Sequence, residues 1–277
     1  MSPFFTLERS DPAFEQEGLC YLTVKSNALG RRADVSVFVP TGAAAFQDLP
    51  LTILLHGVYG SHWAWTHKAG VHRIAQALVD TGQMRPMVLA MPSDGLFGDG
   101  SAYIPHRDAD YERWIVEEVP AAVRETIPAV SHHSPLFLSG LSMGGYGALL
   151  LGAKYPQRFR AFSGLSSITA FEQMAAFVED FEALTAAATC RDEVLSWLLQ
   201  NRAQLPPFRF DCGTEDPLWP FNQTLHASLL LADIPHVYET FPGGHNWDYW
   251  AKHIGRSLMF FDAQCKSKAG AEMDIGP

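Results

Sequence analysis

Residues 139–147 read Ser-Gly-Leu-Ser-Met-Gly-Gly-Tyr-Gly, and within them Gly140-Leu-Ser142-Met-Gly144 sets one serine between two glycines. This spacing suits a strand that turns into a helix within a few residues, leaving the serine at the tip in a strained backbone. Glycines two before and two after relieve the crowding of such a turn. The serine then stands at a helix N-terminus, whose free N–H groups and dipole favour negative charge. A Gly-rich turn whose serine only caps a helix would read much the same. The strand-like run at 136–139 and the helical run from 143 favour the chemical reading, with Ser142 as a nucleophile. Ser163, Ser166 and Ser167 sit in no such turn.

A serine hydroxyl is a poor nucleophile until a base takes its proton, so a histidine is required. Of eleven, His132 and His133 fall in a surface-type loop and His72 on an amphipathic helix. His245 stands in Pro-Gly-Gly-His-Asn-Trp, between the last strand and the last helix, where open α/β sheets gather their sites. The imidazole in turn needs an acid to hold its tautomer. Asp211 and Asp216 both follow the strand that starts at Phe208. Asp211 lies at the strand end, where it could simply anchor a turn. Asp216 lies beyond Gly213, in a loop from which it can reach His245, and is preferred; Glu215 is the weakest candidate. Donors for a developing oxyanion would be the backbone N–H of Met143 and that of Val58, in the glycine-containing loop His56-Gly-Val-Tyr-Gly60. His56 supports that loop rather than serving as a base.

The elements that must carry these residues are legible from hydrophobic pattern. Leu51–Leu55 is a continuous apolar run of the kind buried on both faces, and 87–91, 136–139 and Ala161–Leu165 resemble it. Further strands are expected at 21–25, 34–39, 208–210 and 236–241. Helices fall between them, one carrying Val71, Ile74, Ala75 and Leu78, another capped by Asp110 and kinked or restarted at Pro120. Strands alternating with helices imply right-handed crossovers and a mostly parallel sheet with helices on both faces. The start looks antiparallel, so the sheet should be mixed. Residues 1–265 read as one domain, with a helical insertion at about 166–205 over the site and a loose tail at 266–277.

Whole-chain properties narrow the function classes. A hydrophobic share of 47% with 18% charged residues describes a globular chain with a large core. A net charge of −10 argues against a nucleic-acid partner. Cys20, Cys190, Cys212 and Cys265 form no metal-ligand spacing, so no metal or other cofactor is expected. The first residues lack a basic, then apolar, export signal, and no apolar run reaches the ~20 residues a membrane span needs. A cytoplasmic protein is the expectation, and a homo-oligomer is compatible with it.

Five segments together carry a family resemblance: Leu54-Leu-His-Gly-Val-Tyr-Gly, Gly100-Ser-Ala-Tyr, Ser139-Gly-Leu-Ser-Met-Gly-Gly-Tyr-Gly-Ala-Leu, Cys212-Gly-Thr-Glu-Asp-Pro-Leu and Gly243-Gly-His-Asn-Trp. From Arg32 to Phe261 the chain resembles the α/β-hydrolase family that includes esterase D, tributyrin-type carboxylesterases, feruloyl and acetyl esterases and mycolyltransferases. The resemblance implies the α/β-hydrolase fold, a Ser142–Asp216–His245 triad, and the Val58 and Met143 amides as oxyanion donors. It supports Asp216 over Asp211. It also implies hydrolysis of short-chain acyl or aryl esters through an acyl-enzyme, with a small-molecule ester as partner. S-formylglutathione hydrolysis and acyl transfer are the alternatives. S-formylglutathione hydrolases usually carry histidine just before the nucleophile, where this chain has Leu141. A non-catalytic binding protein of this fold would typically have lost a triad member, and none is missing. Trp63, Trp65, Trp219 and Trp247 are the candidates to line an acyl or aryl pocket.

Overall fold

The computed structural model describes residues 2–266, and its centre is a nine-stranded mixed sheet. The strands are β1 (Leu7–Arg9), β2 (Leu19–Lys25), β3 (Arg32–Phe38), β4 (Leu51–Leu55), β5 (Val88–Pro92), β6 (Leu136–Leu141), β7 (Ala161–Leu165), β8 (Phe208–Gly213) and β9 (Val237–Phe241). Their order across the sheet is β1-β2-β3-β5-β4-β6-β7-β8-β9. The first four in that order pair antiparallel, and every pair from β5–β4 to β8–β9 is parallel. Strands β4 to β8 are buried along their whole length, as their unbroken apolar runs require. The parallel strands therefore end together at one carboxyl edge.

Helices cover both faces. On one side α1 (Ala64–Ala69), α2 (Val71–Asp80) and the C-terminal α9 (Trp247–Lys266) enclose a core that includes Trp65, Val71, Ile254 and Phe261. The other side holds the larger core, with α3 (Tyr111–Arg113), α4 (Val119–Thr126), α5 (Met143–Lys154), α6 (Phe181–Ala187), α7 (Val194–Gln200) and α8 (Trp219–Leu231). Asp110 caps α3 by accepting from the Arg113 N–H, as its sequence position predicts. The helical backbone runs unbroken from Tyr111 to Thr126 through Pro120. A five-residue π turn (Trp114–Glu118) leads into α4, whose first turn can lack an amide at Pro120 without losing a hydrogen bond.

Several bounds shift by one or two residues from the sequence reading, and three differences matter more. Strand β1 was not foreseen, since three residues carry too little alternation to show a period. Strand β8 runs to Gly213, so Asp211 is a strand residue with its backbone in the ladder to β9. The final helix extends through Lys266, and residues 267–277 of the expected tail lie outside the described residues. Between β7 and β8 the chain forms a 3-10 turn (Phe171–Ala176), α6 and α7.

Candidate active site

Ser142 sits where β6 ends and α5 begins, with φ 55° and ψ −118°, a conformation that L-residues avoid. Such a backbone costs on the order of 1–3 kcal/mol and persists only when its surroundings over-determine it. Here the Ser142 N–H donates to the Leu165 carbonyl of β7, and its own carbonyl accepts from Tyr146 and Ile168. The flanking glycines are steric necessities. A Cβ on Gly140 would stand under 3.0 Å from the backbone of Gly144, and one on Gly144 under 3.0 Å from the carbonyls of Leu55 and His56. The turn closes only because both side chains are absent.

His245 reaches the same point from the loop after β9. Its Nε2 lies 2.9 Å from Ser142 Oγ and its Nδ1 2.8 Å from Asp216 Oδ2. A carboxylate can only accept, so Nδ1 carries the proton, and Nε2 is left to accept from the serine hydroxyl. The Asp216 side chain is fully buried, and its second oxygen accepts from the Leu218 N–H at 2.8 Å. The loops that carry acid and base are tied together. Thr214 N–H donates to the Phe241 carbonyl and Glu215 N–H to that of Gly243. A Cβ on Gly213 would press into the Gly243 carbonyl, so these loops pack backbone to backbone.

Asp211 is equally buried and differently engaged. It lies 2.9 Å from the guanidinium of Arg209 and accepts from the Tyr249 hydroxyl at 2.9 Å. Burial pushes its carboxyl above the usual range, opposed by Arg209 and Tyr249. Arg209, itself buried, also donates to Ser257 and to Glu239, both at 2.8 Å. Burial and the charge of Asp211 push the Tyr249 phenol well above its ordinary range.

The loop 56–60 lies against the serine: a Cβ on Gly57 would meet Leu141 and the Ser142 Cβ. Tyr59 N–H and Gly60 N–H are taken, by the carbonyls of Asp99 and Gly57. The amides of Val58 and Met143 have no backbone partner among the described residues. For Met143 this is the ordinary state of a first helical residue. His56 is buried, its Nδ1 2.7 Å from the Gly57 carbonyl and its own carbonyl accepting from the Tyr103 hydroxyl, so it holds the loop.

A cavity of about 240 Å³ opens beside Ser142 and His245. Trp63 and Trp247 line it. Trp65 does not: two residues on from Trp63 along a helix, it faces the opposite way, buried in the core with its indole N–H on the Leu55 carbonyl at 3.0 Å. Trp219 does not either; it opens α8 and packs on the larger core. Sequence reasoning missed Trp250, Phe177 and Lys68, which complete the wall. Trp250 follows Trp247 by three helical positions and so shares its face, a signal that was available. Phe177 comes from the segment before α6, with its ring 5.1 Å from that of His245, and no local pattern announces it.

Comparison with known proteins agrees with this geometry. The family model described as "Putative esterase" matches residues 26–261, which include Ser142, Asp216 and His245. An acetyl esterase of Caldicellulosiruptor saccharolyticus is 26% identical over 231 residues, covering 76% of this chain and 83% of its own. A ferulic acid esterase structure superposes with a TM-score of 0.75 at 22% identity, covering 94% of this chain and 99% of its own. The S-formylglutathione hydrolase of Staphylococcus aureus does so at 0.74 and 20%, covering 91% and 98%. These structures share the α/β-hydrolase fold. With the family matched over most of its length, the chain belongs to this esterase family and is by that membership a serine carboxylesterase.

Proposed function

We propose that the protein hydrolyses small carboxylic esters through an acyl-enzyme on Ser142, with His245 as general base and acid and Asp216 as the group that orients it. The observation that carries this reading is the unbroken hydrogen-bonded chain Ser142–His245–Asp216 at the wall of a cavity. His245 takes the serine proton as Oγ attacks the ester carbonyl, and the amides of Val58 and Met143 receive the oxyanion. The imidazolium then protonates the leaving alcohol. Water repeats the sequence on the acyl-enzyme and releases the acid. Asp216 stabilises the imidazolium without itself taking the proton.

The cavity argues for a short acyl or a single aryl group. At about 240 Å³ it is below the ~300–1,000 Å³ of sites that hold drug-sized ligands. Trp63, Trp247, Trp250 and Phe177 give it flat apolar walls suited to such a group. No helix among the described residues is long and apolar enough to cross a membrane. Buried, unbridged thiols at Cys20 and Cys212 support a reducing, cytoplasmic setting.

The test is turnover of p-nitrophenyl esters from acetate to laurate, beside S-formylglutathione, methyl ferulate and an acetylated sugar. The short p-nitrophenyl esters should lead their series. Ser142→Ala should lower kcat on the scale of ~10⁶. A variant that keeps a tenth of the wild-type rate would refute Ser142 as the nucleophile.

A further inference from the structure

The wall beside Ser142 carries one feature that ester hydrolysis does not require. Lys68, in the last turn of α1, lines the cavity, and its Nζ stands 5.8 Å from the centre of the Trp247 ring. The other lining groups are glycines, Val58, Tyr59, Trp63, Ala64, Leu141, Phe177, Trp247 and Trp250, together with Ser142 and His245. Among the described residues no carboxylate lines the cavity. A solvent-exposed ammonium thus stands at the rim of an aromatic cavity with no anion on its walls, in a protein whose net charge is −10.

We infer that Lys68 is a specificity residue, and that the preferred esters bear an anionic group within the small acid or alcohol portion that fills this cavity. This rests on the esterase reading of the same site. Three physical points support it. An ammonium offers three donors and accepts nothing, so a carboxylate or other anion is its natural complement. The Trp247 face attracts the cation and keeps it at the wall. Lys68 is exposed to solvent, so its charge reaches an arriving anion at the cavity mouth without first being desolvated. Against this stands a plainer role, a cation at a helix C-terminus favoured by the helix dipole. That role predicts no dependence on substrate charge.

The experiment compares kcat/KM for matched esters: p-nitrophenyl butyrate against p-nitrophenyl hemisuccinate, which puts the anion on the acyl side, and phenyl acetate against 4-acetoxybenzoate, which puts it on the leaving side. In the wild type at least one anionic ester should be favoured over its neutral partner. In Lys68→Gln that anionic-to-neutral ratio should fall about tenfold, chiefly through KM, and in Lys68→Glu further still. Effects common to both esters cancel in the ratio. Ratios that stay within twofold of wild type in both variants overturn the inference. A binding readout keeps it separate from the esterase reading. Ser142→Ala is titrated with the same four esters, following the fluorescence of the wall tryptophans. If no ester is hydrolysed by the wild type, the proposed function fails. The titration then still decides: tighter binding of an anionic ester that Lys68→Gln abolishes upholds the inference, and equal binding overturns it.

Discussion

Two buried carboxyls stand five residues apart at the end of β8, and they differ in what surrounds them. Asp211, in the strand, is held by Arg209 on one oxygen and by the Tyr249 hydroxyl on the other, inside a polar cluster that continues to Glu239 and Ser257. Asp216, in the loop, gives one oxygen to a backbone amide and the other to an imidazole that reaches a cavity. Burial is the same in both. What separates them is whether the partner is fixed in the fold or faces open space with a second nitrogen to spare. A buried acid locked on both oxygens is a structural member; one facing a histidine that borders a cavity can support chemistry.

The contrast can be broken by substitution, beginning with the largest effect. Asp216→Asn should lower kcat by ~10⁴, as loss of the orienting acid does in other triads, while the melting temperature changes little. Asp211→Asn should do the reverse. It leaves the buried Arg209 guanidinium with Glu239 as its remaining carboxylate partner, at a cost of about 1.5–3 kcal/mol, read as a lowered denaturation midpoint. The folded fraction should keep kcat within about tenfold of wild type. If Asp211→Asn costs turnover without stability, the two assignments are exchanged.

A third test reaches the same cluster from α9. His253 is buried against Phe241 and Tyr249, and burial, with Lys252 and Arg256 nearby, pushes its imidazole down to about 4. An unfolded histidine titrates near 6.5, so between those values the unfolded chain binds the additional proton. Stability should therefore fall as pH drops from about 6.5 to 4, by up to about 3 kcal/mol, and level off below. Replacing His253 with Gln should flatten that slope in urea midpoints taken across the range; an unchanged slope would place the effect elsewhere. Tyr249→Phe should be the mildest, about 1 kcal/mol for one hydrogen bond to Asp211, again with kcat nearly preserved.

Much of this contrast was readable in the chain. The elbow at Gly140–Gly144 is legible because steric crowding leaves only glycine at two fixed positions. The alternation of apolar runs with helical periods gave the parallel core for the same reason: each face must be buried. Asp216 was separable from Asp211 by its place beyond Gly213. The cavity wall was not readable, because it is assembled from α1, the segment before α6 and α9, which no local spacing connects. Residue type misled there: Trp65 and Trp219 have the chemistry of a pocket wall but the orientation of core residues. Lys68 and Phe177 have no motif at all.

The pairing of the loops after β8 and β9 has a consequence for how the enzyme comes into being. Acid and base ride on the loops after two adjacent strands, and those loops are bonded to each other. The nucleophile sits on β6, and its strained turn is held by β7. Chains are synthesised from the N-terminus, and a domain folds as a unit. Residue 245 leaves the ribosome about a hundred residues after residue 142, so no shorter nascent chain carries the whole triad. Ester turnover therefore reports that the sheet from β6 to β9 is complete, since the triad draws on both of its ends.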